Sequence, residues 1–386
     1  MNRLYRTATT AVLLIAGALV GCGSSAGLVE MPLMTIEQRL QQALDEAVTA
    51  GLPAVSLAVS SATFEFSGAA GFEDLETQIP VSPDHRFYLA SVGKTYTAVA
   101  ILRLVFAGTL DLDDPIARWL PTAVTERIPH AANISLRQLL NHTSGIFDFQ
   151  NDGDDWNEAF QADPERQWSN AATLPYFLDR PLHFEPGADY RYSNSNYVLA
   201  ALIAEAATGT PLRDIIRYQL LEPAGLHHTV HGNEAAGLAN LVHGYVDDEG
   251  KRVDAYPWYS HFGVADGGMQ ASMPDLVRFV RIVLTTDLIL DEAMREVFTT
   301  PSGLGQPASD YALGIQTIEG EAPGEYIYGH SGKDPGYQAD FLHVQTPSGS
   351  LTLALAAGGS FEPYDTTYQW LLQTVLEILA DLKGGD

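Results

Sequence analysis

The sequence predicts an α+β protein: one antiparallel sheet flanked by helices, interrupted by an inserted, mainly helical region. Three observations carry this. Apolar residues alternate at a strand period early in the chain and again near its end. Helical patterns bracket both sets of strands. From about residue 110 to about residue 300 the text is helical pieces broken by Pro, Gly and Asp, with few strand runs. Strands split between the two ends share a sheet only if the chain returns to where it began, so the middle is an insertion.

The body opens with Thr35-Ile36-Glu37-Gln38, a capping box in which two side chains satisfy the first free backbone donors of a helix. Ile36, Leu40, Leu44 and Val48 then form one apolar stripe, stopped by Gly51. Val55, Leu57 and Val59 alternate, and Phe64 and Phe66 continue after a turn, giving two strands. Thr95 to Ala107 is a helical run broken by Gly108. Late strands are expected over 311–318, 325–330, 336–345 and 351–356, with Thr346-Pro347-Ser348-Gly349 as a hairpin turn. A last helix carries Tyr368, Leu371, Leu372, Val375, Leu379 and Leu382 on one side.

At 386 residues the chain can bury a large core. Its 21 Lys+Arg against 48 Asp+Glu give a net charge of −27, which argues against nucleic-acid partners and against electrostatic docking on anionic lipid. Arg3 and Arg6 precede a short apolar run, Ala11 to Val20, the pattern of an export signal. That run is well short of the ~20 residues a membrane span needs. Cys22 is the single cysteine, so no internal disulfide is possible. Residues 23–34 read as a small-residue tether.

Three short strings carry the chemistry: Ser91-Val92-Gly93-Lys94, Tyr192-Ser193-Asn194 and His330-Ser331-Gly332. The lysines are Lys94, Lys251, Lys333 and Lys383, and only Lys94 has a serine three residues before it. Ser91 falls at a helix N-terminus, where unpaired N–H groups and the helix dipole favour an oxyanion. Lys94 lies one turn on, on the same face, and a desolvated ammonium can lose its proton and serve as a base. A nucleophile, a base and oxyanion donors are what acyl transfer requires.

The three strings, in this order and at these separations, resemble the penicillin-recognising serine hydrolases. Within them they resemble the branch of class C β-lactamases, D-alanyl-D-alanine carboxypeptidases and related esterases. Connecting segments match as well: Leu110 to Ile116, Ile134 to Gly145, Pro186-Gly187 leading into Tyr190 to Tyr197, and Gly267-Gly268 before a helix capped by Ser272. Leu19-Val20-Gly21-Cys22 resembles a lipobox, which implies cleavage before Cys22, lipidation of that residue, and an exported bacterial lipoprotein held in the cell envelope. The domain plan is then a signal over 1–21, a lipidated Cys22 with its tether to residue 34, and a hydrolase domain over 35–386. The helical subdomain spans about 110–300, and the resemblance puts the site in the cleft between it and a β-lactamase/transpeptidase-like sandwich.

The resemblance also implies roles. Ser91 would attack, and Tyr192 would be the general base, alone or through a relay with Lys94, the nearby ammonium lowering its phenol pKa. Asn194 would hydrogen-bond Lys94 or the substrate. His330 to Gly332 would form an edge strand beside the nucleophile, with Gly332 leaving room for substrate backbone. The N–H groups of Ser91 and Lys333 would form the oxyanion hole. Many β-lactamases of this branch carry Lys where His330 stands, and a histidine is more typical of the peptidases and esterases. An imidazole is charged only below about pH 6.5, so it anchors a substrate carboxylate weakly at neutral pH, with Lys333 as a possible supplement.

No cofactor is called for. His227, His228 and His231 lack metal-site spacing, so no metal is expected. The acidic run from Asn151 to Asp155 reads as a solvated loop near the cleft mouth, and His142 as a residue packed in a Thr-Ser-Gly turn. The function expected is acyl-enzyme hydrolysis of amides or esters, DD-peptidase-like or D-amino-acid amidase. The substrate would be a peptidoglycan-like peptide, a β-lactam or an ester. The alternatives are an esterase or class C β-lactamase, or a non-catalytic penicillin-binding or cell-wall sensor. Loss of Ser91, Lys94 or Tyr192 would mark the last, and all three are present.

Overall fold

The computed structural model describes residues 34–232, 240–305, 310–320 and 322–383. The expected signal, Cys22 and all of the tether except Met34 lie outside the described residues. The strands are β1 (Ala54–Ser61), β2 (Glu65–Gly71), β3 (Phe87–Tyr88), β4 (Thr229–His231), β5 (Tyr245–Asp248) and β6 (Lys251–Asp254). Then come β7 (Met269–Ala271), β8 (Asp310–Tyr311), β9 (Gln316–Glu319), β10 (Tyr326–Asp334), β11 (Tyr337–Thr346) and β12 (Gly349–Ala357). Seven of them form an antiparallel sheet in the order β2-β1-β12-β11-β10-β9-β8. Strand β1 pairs with β12, Leu57 opposite Leu355, so the two ends of the chain meet at mid-sheet.

The two faces of these central strands differ in side-chain size, because successive residues point to opposite sides. Val55, Leu57, Val59, Leu353 and Leu355 pack under the N-terminal helix (Ile36–Thr49) and the C-terminal helix (Tyr364–Ala380). The Thr35–Gln38 capping box is formed as the sequence indicates. Ala54, Ala58, Ala354 and Ala356 occupy the opposite face and belong to the main core. These small side chains let the helix Met273–Thr285 pack directly on β1, β11 and β12, through a face that includes Leu276, Phe279, Val280 and Val283. That helix lies within the 110–300 span yet sits on the sheet.

The inserted region is also less purely helical than expected, since it contributes β4 and β7 to a sheet with β3 and the hairpin β5–β6. The expected strand over 311–318 is two short ones, because the chain turns at Gly314 with φ +81° and Ala312 N–H donates to Ile315 O at 2.9 Å. Strand β10 runs past His330 to Asp334, paired with β11 to the end, Asp334 opposite Tyr337. Its other neighbour, β9, pairs only with Tyr326 to Gly329, so 330–334 present a strand edge free of β9. The nucleophile helix (Gly93–Phe106) is apolar and buried almost all round, as a central helix must be.

Candidate active site

A 3₁₀ turn, Ala90–Val92, leads into the nucleophile helix and carries Ser91. Ala90 holds φ +48°, a left-handed conformation that costs a non-glycine residue energy. The turn is wedged between two close neighbours. On one side Gly267 abuts Ala90, where an added Cβ would lie 3.3 Å from the Ala90 carbonyl oxygen. On the other, Gly332 of β10 lies so near that a Cβ there would be 2.1 Å from the Leu89 carbonyl oxygen and 3.0 Å from the Ser91 nitrogen. The reason for Gly332 is therefore different from the one expected: the atoms it makes room for belong to the nucleophile turn.

Lys94 is fully buried, with 0 % exposure. Its Nζ donates to Ser91 Oγ at 3.0 Å, to Asn194 Oδ1 at 2.7 Å and to the Asp266 carbonyl at 2.6 Å. Asn194 begins the helix Asn194–Thr208, and its Nδ2 donates to Asp148 at 3.1 and 3.2 Å. Its amide is thus fixed end to end, acceptor toward the lysine and donor toward a carboxylate. Burial lowers the Lys94 pKa despite the opposing charges of Asp266, Asp148 and Asp334.

Tyr192 places its ring 5.0 Å from Lys94 Nζ, a cation–π distance. The residue is partly exposed, but its hydroxyl is buried and makes no hydrogen bond among the described residues. Burial pushes this phenol well above its ordinary pKa, outweighing a lowering contribution from Ser91. The expectation that the ammonium would depress it is corrected: desolvation dominates, and the resting phenol is protonated.

The Tyr192 segment is bolted to the segment containing His142. Ser193 N–H donates to His142 Nδ1 at 3.2 Å, Ser144 Oγ to Asn196 Oδ1 at 2.7 Å, and Ser195 Oγ to the Phe147 carbonyl at 2.7 Å. His142 lies 4.2 Å, ring to ring, from Tyr192 and 4.6 Å from Tyr311, and burial keeps it neutral. It supports the tyrosine as well as filling its turn. The acidic run is more structured than a solvated loop. Asp152 accepts from Arg191 at 2.5 Å and contacts His183 at 2.6 Å, while Asn151 donates to Asp148 at 2.6 Å.

His330 Nδ1 donates to the Ser331 carbonyl at 2.8 Å, so Nε2 is left to accept from the Tyr311 hydroxyl at 2.8 Å. Burial, with Lys94 nearby, takes its pKa down to about 3. It is neutral across the physiological range and carries no charge for a substrate carboxylate. Lys333 cannot compensate, because its ammonium is bound to Asp365 and lies 4.5 Å from the Phe361 ring centre. What these residues offer is strand edge. Glycine at 332 draws that edge, with the Lys333 backbone, against the turn bearing the Ser91 N–H.

Sequence reasoning missed three carboxyl groups around Lys94. Asp148 is buried and its pKa is raised by burial. Asp266 Oδ2 accepts from Gln150 Nε2 at 2.8 Å, its Oδ1 is buried with no hydrogen-bond partner among the described residues, and burial lifts it to about 6. Asp334 accepts from the Tyr88 hydroxyl at 3.1 Å and is lifted to about 7, by burial first and by Asp266 second. The only signal was proximity in sequence to motif glycines. Among the described residues no group of three His, Cys, Asp or Glu is placed to hold a metal ion.

A serine hydrogen-bonded to a buried lysine, a tyrosine hydroxyl and a strand edge around one turn make up the constellation of a serine hydrolase. The chain belongs to the Beta-lactamase family, whose model matches residues 36–360. It is 30% identical over 282 residues to penicillin-binding protein 4* of Bacillus subtilis, covering 69% of this chain and 60% of that protein. It is 28% identical to a D-aminopeptidase of Brucella anthropi, over 71% of this chain and 50% of the relative. The chain thus spans only half to three-fifths of these curated relatives. It also superposes on D-amino acid amidase from Ochrobactrum anthropi SV3 with a TM-score of 0.75 and 25% identity, covering 90% of this chain and 99% of that one.

Proposed function

We propose that the chain hydrolyses amides or esters through an acyl-enzyme on Ser91, as a D-amino-acid amidase or DD-peptidase-like enzyme. The observation that carries this is Lys94: fully buried, 3.0 Å from Ser91 Oγ, and lowered in pKa. Lys94 takes the serine proton as Oγ attacks the carbonyl, because it is the group tuned toward its neutral form, whereas Tyr192 is tuned toward its protonated one. The tetrahedral oxyanion is held by the backbone N–H groups of Ser91 and Lys333. Tyr192, its hydroxyl unclaimed, donates a proton to the leaving nitrogen or oxygen, and Lys94 restores it through the shared site. Water then repeats the sequence on the acyl-enzyme. Asn194 holds the Lys94 ammonium in line, itself held by Asp148.

The relatives' names support the amide side of this reading. The test is to expose the full chain and Ser91→Ala to a fluorescent penicillin, a D-Ala-D-Ala peptide, D-amino-acid amides and a p-nitrophenyl ester. Covalent labelling and turnover lost in the variant support the reading, and equal labelling of both proteins excludes Ser91. We further propose that the chain is an exported lipoprotein held in the cell envelope through Cys22, supported by Arg3, Arg6, the apolar run to Val20 and the lipobox-like Leu19 to Cys22. Fatty-acid labelling of the chain that persists in Cys22→Ala would overturn this.

A further inference from the structure

Tyr192 belongs to an irregular segment, 181–193, that packs on a second one, 141–152, and neither forms helix or strand. Without a ladder of paired backbone, their relative position depends on scattered contacts. The Arg191 N–H donates to the His142 carbonyl at 3.0 Å and the His183 N–H to the Gly145 carbonyl at 2.8 Å. Asp152 then joins the two segments through its side chain, which is only 8 % exposed. Its Oδ1 accepts from Arg191 Nη2 at 2.5 Å, and its Oδ2 accepts from His183 Nε2 at 2.6 Å and from the Asp148 N–H at 2.8 Å. Burial alone would raise the pKa of this carboxyl, but the three donors outweigh it and hold the group below its ordinary value, so it is ionised at neutral pH. Charge-assisted bonds of this kind are shorter and stronger than neutral ones. Arg191 is itself half exposed, so the carboxylate, rather than burial, fixes its guanidinium.

Tyr192 lies between two anchored neighbours. On one side His142 Nδ1 holds the Ser193 N–H at 3.2 Å. On the other Arg191 is held twice, its N–H by the His142 carbonyl and its guanidinium by Asp152. The phenol hydroxyl between them makes no hydrogen bond among the described residues. No polar contact aims it, so its position follows from the backbone on either side and from the His142 ring 4.2 Å away. Lys94 differs, because three hydrogen bonds of its own aim its ammonium and none goes to Asp152. Asp152 meets Asp148 only through the backbone, whereas it is the Asp148 carboxylate that holds Asn194. The chemistry separates the two arms. As the C–N bond of an amide breaks, the leaving nitrogen must take a proton, whereas p-nitrophenolate departs without one.

We propose that Asp152 is a positioning residue for Tyr192: through Arg191 it fixes the backbone that decides where an otherwise untethered phenol stands, and its effect falls on protonation of the leaving group. This rests on the acyl-enzyme reading above, in which Tyr192 donates that proton. A carboxylate with a merely structural role would, when removed, slow all substrates alike.

The experiment measures kcat/KM for an amide and a p-nitrophenyl ester of the same acyl group, D-alanine first, in the full chain, Asp152→Asn, Arg191→Gln and the double variant. Taken within each protein, the amide-to-ester ratio cancels every loss the two substrates share, folded fraction included. In each variant the ratio should fall at least about tenfold, since an error of about 1 Å in a reacting geometry costs on the order of 100-fold. The double variant should be no worse than the poorer single one, because the two side chains act as a pair. A smaller fall in either single variant, or falls that multiply in the double, overturns the proposal. Should Asp152→Asn not fold, Arg191→Gln, changed at a half-exposed side chain, carries the test by the same criterion. Turnover in the parent chain that survives Ser91→Ala would instead overturn the acyl-enzyme reading.

Discussion

Gly332→Ala tests whether the close approach of β10 to the nucleophile turn is what sets catalytic geometry. The added methyl would sit 2.1 Å from the Leu89 carbonyl oxygen, 3.0 Å from the Ser91 nitrogen and 3.1 Å from the Val92 nitrogen. Carbon and carbonyl oxygen normally meet no closer than about 3.3 Å, so strand and turn must separate by about 1 Å. All three obstacles are backbone, and no flexible side chain can swing aside. Overpacking of this kind costs about 1–3 kcal/mol of stability, which a chain of this size tolerates. Catalysis is more sensitive, since an error of about 1 Å in a reacting geometry costs on the order of 100-fold. The acylation rate should fall by about that factor, measured as single-turnover labelling of Ser91, while the melting transition stays cooperative. Full-rate acylation in a folded variant would refute the geometric reasoning.

Other outcomes follow from the same contacts. Lys94→Met should lower acylation by roughly 10²–10⁴-fold, the usual worth of a positioned base; a loss below tenfold would remove Lys94 from that role. Tyr192→Phe removes the unclaimed hydroxyl and should slow amides, with their poor leaving groups, much more than p-nitrophenyl esters; equal losses on both would count against a donor role. Asp266 is raised from its ordinary value to about 6. Its burial therefore destabilises the fold progressively as pH climbs from about 4 to about 6, and at ~1.4 kcal/mol per pKa unit the penalty is on the order of 3 kcal/mol above that window. Asp266→Asn should raise the melting temperature at pH 8 and leave it nearly unchanged at pH 3.5; equal gains at both would show that charge is not the cause.

The terminal helices, the central strands and the hairpin turn were legible because each is written in local periodicity and capping. Ser91, Lys94, Tyr192 and Asn194 were legible as strings, and their convergence came from the family likeness rather than from spacing. What stayed hidden is non-local. Nothing near His330 announces that Tyr311 and burial will keep it neutral, and nothing near Lys333 announces Asp365. The helix Met273–Thr285 reads as part of the insertion, because a helical stripe records that a face is buried without naming the alanines that receive it. The acidic shell of Lys94 comes from three loops and strands that share no pattern.

The first and last helices lie side by side on the large-residue face of the sheet, and Arg39 meets Asp381 there at 2.5 Å. The nucleophile helix is on the other side of that sheet. The first helix, which begins at Ile36, therefore lies on the face of the sheet away from the nucleophile helix. A support coupled at that pair of helices would therefore touch the face of the sheet that does not carry the nucleophile helix. The same arrangement makes either end a sensible attachment point for immobilising the protein without obstructing its cleft.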